Sequence, residues 1–163
     1  MSPSRVRLQM SRIEGAQLAQ LVDDFRDLVG SERDLDDPAI GRLAPDAYPD
    51  DEDASHAFRD ATRADLLDRR ALDADVVKAS LAPLRADIES LSEEEAFVTH
   101  DVSLGVDDVD PWLRTVTALR LVIAARLGIE SDDDHDPEDP RYAVYDWLGY
   151  RLEVMIQAAD ELL

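Results

Sequence analysis

The chain contains no cysteine. That excludes disulfides, a thiolate nucleophile and any cysteine-rich zinc site, and it fits a reducing interior. Lysine is nearly missing as well: Lys78 is the only one, so positive charge rests almost entirely on arginine. Six glycines in 163 residues leave little scope for Gly-rich phosphate cradles, and no G-x-S-x-G elbow, P-loop or dinucleotide-binding turn is present. Apolar stretches are broken by Arg or Asp well short of membrane-spanning length, and the opening MSPSRVRLQMSR lacks the apolar run of a secretory signal. The expectation is a cytoplasmic protein with no membrane partner and no bound cofactor.

What the chain has in excess is negative charge. Against 17 basic residues stand 38 acidic ones, a formal net charge of −21. Such a surface repels phosphate backbones, so nucleic acid is not an expected partner, and solubility or adaptation to high salt explains the charge as well as a basic partner does. The length suits one domain spanning residues 1–163, able to bury roughly 70% of its unfolded surface.

Periodicity predicts a mainly α, single-domain bundle of about four main helices, with a small two-stranded β ribbon. The centre is the stretch Trp112 to Gly128. Trp112, Val116, Leu119, Ile123 and Leu127 share one arc, Leu121 and Val122 carry apolar surface further round, and only a strip through Arg114, Ala118 and Ala125 is left for water. Asp107 or Asp108 is its expected cap, with Pro111 in the first turn. Val6, Leu8 and Met10 alternate as in a short strand, as do Val98, His100, Val102 and Leu104, and the two pair as the ribbon. Between them, Ser11 and Glu14 form a capping box for a helix running to Gly30, with Gln17, Gln20, Asp24 and Asp27 on its wet side. A loop-like region over 31–53 includes a helical turn, Pro38 to Leu43, capped by Asp37, and one aromatic anchor, Tyr48. A long helical region over 54–88 ends or kinks at Pro83, and Thr62 with Asp65 allows a break within it. Residues 130–140 are expected to be exposed and mobile. The last helix starts at Asp139 and Pro140 and buries Val144, Leu148, Leu152, Met155, Ala159 and Leu162.

No residue set forms a recognisable catalytic site, so none is assigned; the reading leans away from an enzyme and leaves the question open. Asp132, Asp134 and Asp136 alternate like the first ligands of a calcium loop, but Pro137 and Ala143 stand where the turn glycine and the bidentate Glu belong. His56, His100 and His135 fall in no zinc pattern, and no metal is expected. The oddest feature is arginine on inward-facing arcs. Arg59, Arg63 and Arg70 lie in line on the long helix, Arg120 on the central one and Arg151 within the stripe of the last. They make either a binding pocket for a small anion or acidic tail, or a set of buried ion pairs with acids such as Asp46, Asp65, Asp73 and Asp146. Exposed aromatics such as Tyr142 or Tyr150 leave a homo-oligomer open.

The series Pro45-Asp46-Ala47-Tyr48, Phe58-Arg59, Thr62 with Leu66 and Arg69, Trp112-Leu113-Arg114, Leu119-Arg120-Leu121, Leu127-Gly128 and Tyr145-Asp146-Trp147-Leu148-Gly149 resembles an actinobacterial family of unknown function, numbered twenty-seventeen. The likeness spans nearly the whole chain, though Thr117-Ala118 replaces an expected Asn-Asp. The resemblance implies a cytoplasmic protein whose gene often lies beside that of ClpS, adaptor of the Clp protease, and some members carry the label of transcriptional regulator. It brings no catalytic residues. A protein-interaction or regulatory module linked to the Clp system is therefore the first expectation, a small-anion binder or enzyme using the arginines the second, and a transcriptional regulator the third.

Overall fold

The first strand, β1 (Arg5–Ser11), alternates strictly: Val6, Leu8 and Met10 are buried while Arg5, Arg7 and Gln9 face water. It pairs antiparallel with β2 (Thr99–Gly105), setting Val6 opposite Leu104 and Met10 opposite His100. Two strands alone are marginal in water, so this ribbon depends on the helices beneath its apolar face. The structure, a computed structural model, describes residues 5–45, 56–129 and 135–161, and of residues 56, 57 and 59 the backbone alone.

Ser11 ends β1 and caps α1 (Arg12–Leu28) in the same step. Its hydroxyl accepts from the Glu14 N–H while the Glu14 carboxylate accepts from the Ser11 N–H, the expected capping box. Leu18, Val22 and Phe25 are buried, and Gln17, Gln20, Asp24 and Asp27 are exposed. The short α2 (Pro38–Leu43) is capped by Asp37, whose two carboxylate oxygens also accept from Arg126 at 2.7 Å each. One residue thus starts a helix and ties it to another.

α3 (His56–Leu81) is continuous where Thr62 with Asp65 allowed a break, and Asp65 pairs with Arg69 one turn on at 2.8 Å. Leu67, Ala71, Ala74, Val77 and Leu81 form its buried stripe, and Pro83 ends it in the 3₁₀ turn Ala82–Leu84. A single turn, α4 (Glu93–Ala96), is capped by Ser92 and leads into β2.

α5 (Val106–Leu127) occupies the centre, touching the ribbon, α1, α2, α3 and the last helix. Trp112, Val116 and Leu119 are buried, each burial contributing about 1.5–3 kcal/mol. Two expectations need correction. β2 runs straight into this helix, so extended Gly105 is the N-cap; Asp107 and Asp108 sit in the first turn against the helix dipole, and Pro111 lies inside the helix. The wet strip runs through Asp110, Arg114 and Thr117, because Ala118 is small enough to be closed over and is 0% exposed. Gly128 stops the helix at φ +74°, a conformation suited to glycine.

After a 3₁₀ turn at Pro140–Tyr142 capped by Asp139, α6 (Ala143–Asp160) packs against α5 and β1. Its stripe begins one residue later than expected: Val144 is 44% exposed while Tyr145 is buried with Leu148 and Met155. The result is mainly helical, about four main helices plus an antiparallel strand pair. Among the described residues no helix is long and apolar enough to cross a membrane.

Candidate functional site

A hollow of about 580 Å³ lies where β1, the start of α1 and α6 meet above α5. Its floor is apolar and fully formed: Leu18, Trp112, Val116, Leu148 and Met155 are all core residues. Trp112 is anchored by its indole N–H donating to Ser80 Oγ at 3.1 Å. Along one side run residues 7–11 of β1, and along the other Trp147, Arg151 and Val154, with Tyr150, 62% exposed, on the rim.

One polar knot holds the two sides. Glu14 Oε2 accepts from the Trp147 indole N–H at 2.9 Å and from Arg151 Nη2, while Arg151 Nη1 donates to the Gln9 carbonyl at 2.6 Å. The Arg151 guanidinium lies 6.0 Å from the Trp147 ring centre, within cation–π range. Burial alone would raise the Glu14 pKa, but the bonds from Arg151, Trp147 and Ser11, with the Arg151 charge, outweigh it and hold the carboxyl below its ordinary value. Glu14 therefore caps α1 and joins α1 to α6, and Arg151 joins α6 to β1.

The described arginines singled out from sequence sit at separate junctions. Arg63 reaches the Leu35 carbonyl at 3.5 Å. Arg70 has its pKa lowered mainly by burial, against the pull of Asp73 and with the push of Arg114, which itself clamps Asp73 through bonds of 2.9 and 3.1 Å. Arg120 donates to the Tyr145 carbonyl at 3.3 Å, lies 4.1 Å over the Tyr145 ring, and abuts Gly149. Only Arg151 lines the groove; the side chain of Arg59 lies outside the described residues.

Of the acids considered as partners, Asp65 bonds Arg69, Asp73 bonds Arg114 and Asp146 bonds His135, while Asp46 lies outside the described residues, as do Tyr48, Asp132 and Asp134. His135 corrects the expectation of an exposed acidic loop at its own position. Its side chain is only 5% exposed, with Nε2 2.7 Å from Asp146 and the ring 4.6 Å from that of Tyr142. Among the described residues no group of three or more His, Asp or Glu side chains is placed to hold a metal.

Sequence reasoning missed Arg7, Glu14, Trp147 and Tyr150 as members of one site. Arg7 was visible as an outward-facing strand residue, and Tyr150 as an exposed aromatic. Their meeting depends on β1 and α6, at opposite ends of the chain, lying side by side. No curated protein and no solved structure matches the chain. The family model described as Domain of unknown function (DUF2017) matches residues 1–159, and the chain belongs to that family.

Proposed function

We propose that this protein is a cytoplasmic interaction module that receives a segment of another protein in the groove between β1 and α6. The observation that carries the reading is the combination of an apolar floor with a strand edge that, among the described residues, no further strand pairs with. Exposed Tyr150 beside half-buried Trp147 adds the aromatic surface that protein interfaces favour. The family resemblance makes the Clp machinery the first place to look for the partner. A small-anion pocket built from convergent arginines draws less support, since Arg63, Arg120 and Arg151 bond at different junctions and Arg70 lies beside Asp73 and Arg114. Direct contact with nucleic acid draws less still from a chain of net charge −21.

The test is site-specific photo-crosslinking in native lysate. A photoreactive residue at Tyr150 is compared with one at exposed Ala79 on α3, away from the groove. Enrichment of a discrete partner at Tyr150 alone is expected. Equal labelling from both positions, or none from Tyr150, refutes the proposal.

A further inference from the structure

Which backbone groups of β1 face the groove follows from the ladder. The Arg12 N–H donates to the Val98 carbonyl at 2.9 Å, which makes Arg12 and Val98 an inward-bonding pair. In an antiparallel ladder inward and outward pairs alternate, so Met10 and Leu8 also bond to β2, whereas Ser11, Gln9 and Arg7 turn their N–H and C=O groups to the outer edge. The far end of that edge is closed within the chain: Glu14 takes the Ser11 N–H and Arg151 takes the Gln9 carbonyl. The Gln9 N–H and both backbone groups of Arg7 remain, and no described segment pairs with them, because the sheet has two strands only.

The side chains along the edge define the occupant further. Residues directly opposite on neighbouring strands share a face. A residue added opposite Leu8 therefore points toward the apolar floor, and its neighbours point outward beside Arg7. Arg7 has no carboxylate partner among the described residues. The charged residues lining the groove are Arg7 and Arg151 against Glu14, two positive and one negative, on a chain that is otherwise strongly acidic. On the same outward face Arg5 stands two residues from Arg7 and Asp101 diagonally across β2, so the charge around Arg7 stays positive by one within the screening length of about 8 Å.

We infer that the groove accepts an extended peptide segment as a third strand on β1, one in which large apolar residues alternate with acidic residues. This rests on the partner-binding reading above and gives it a chemistry. Main-chain bonds to Arg7 and Gln9 fix the strand, the apolar side chains fill the groove, and a carboxylate meets Arg7. The knot at Glu14 and Arg151 stops the added strand at one end and so sets its register.

The experiment is fluorescence anisotropy on the full chain with labelled acetyl-Glu-Leu-Glu-Phe-Glu-Leu-Glu amide, its analogue with Lys for every Glu, and two versions N-methylated at alternate amides in opposite phase. The acidic peptide is expected to bind at least about threefold tighter than the lysine analogue, the scale of one attractive against one repulsive cross-strand charge pair at Arg7. One N-methylation phase should abolish binding and the other retain it, since only every second amide of an added strand faces its neighbour. Arg7→Glu should reverse the charge preference, and Arg7→Gln should reduce it should the reversal variant not unfold cooperatively. Absence of binding by the acidic peptide, equal binding of the two charge types, or tolerance of both N-methylation phases overturns the inference. If cross-linking at Tyr150 captures a partner while the peptides fail, strand addition falls and partner binding stands. If cross-linking fails too, both fall.

Discussion

Replacing Arg151 with Met keeps much of the side chain's apolar bulk but removes the guanidinium that joins α6 to α1 and β1. In the native fold the Arg151 side chain is 18% exposed and Glu14 is 30% exposed, so the pair lies between the surface and interior regimes. Breaking a fully buried pair costs about 3–5 kcal/mol and an exposed one about 0.2–1 kcal/mol, which places this loss at about 2 kcal/mol. For a chain of this size, 1 kcal/mol corresponds to about 2–4 °C, so the melting temperature at pH 7 should fall by about 4–8 °C.

The pH dependence distinguishes lost charge pairing from lost packing. In the native protein the Glu14 pKa is held down, so its stabilisation is present above the ordinary Glu value of about 4.3 and is lost as pH falls through the lower folded value. In Arg151→Met burial still raises the Glu14 pKa while its strongest opponent is gone. The stability gap between the two proteins should therefore be wide at pH 7 and narrow below about pH 4. Urea unfolding of both proteins across that range, with Glu14→Gln and the double variant at pH 7, measures the gap and the coupling. A gap under about 0.5 kcal/mol at pH 7, or one independent of pH, refutes the reasoning.

Other perturbations test the packing and the arginine assignments. Gly15→Ala places a Cβ 2.5 Å from Leu84 Cδ1 and 2.9 Å from its Cβ, so urea unfolding should show a loss of about 1–3 kcal/mol despite the better helix propensity of alanine, and Leu84→Ala in the same chain, which removes Cδ1 but keeps Cβ, should relieve only part of the clash. Gly128→Ala forces a side chain onto φ +74° and should cost about 1 kcal/mol by the same measurement. Arg120→Met removes the guanidinium from the Tyr145 ring and should cost about 1 kcal/mol; a thermal-shift series in phosphate and sulfate should run parallel to that of the unaltered protein, whereas loss of an anion-dependent rise would restore the anion pocket.

Local spacing made much of the fold legible. The Ser11–Glu14 box, Asp37 before Pro38, alternation in β1 and the apolar arc of α5 are signals within a few residues of one another, and the structure contains each; in β2 the alternation holds for Val102 and Leu104, whereas Val98 precedes the strand and is 48% exposed. The candidate site was not legible, because its defining contacts are distant. Glu14 meets Trp147 and Arg151 across 133 and 137 residues, and nothing near Ser11 records that meeting. The arginines show a related limit: the partners of Arg63, Arg120 and Arg151 include backbone carbonyls, which any residue supplies and no pattern reveals. His135 was read by the polarity of its neighbours, yet Asp146 and two tyrosine rings enclose it.

Amide hydrogen exchange on β1, with and without the partner captured through Tyr150, tests the docking surface most directly. Free protein should protect the Leu8 and Met10 amides while those of Arg7 and Gln9 exchange fast, and partner addition should slow Arg7 and Gln9. Protection that arises on another face, with the Arg7 and Gln9 amides unchanged, would contradict the account.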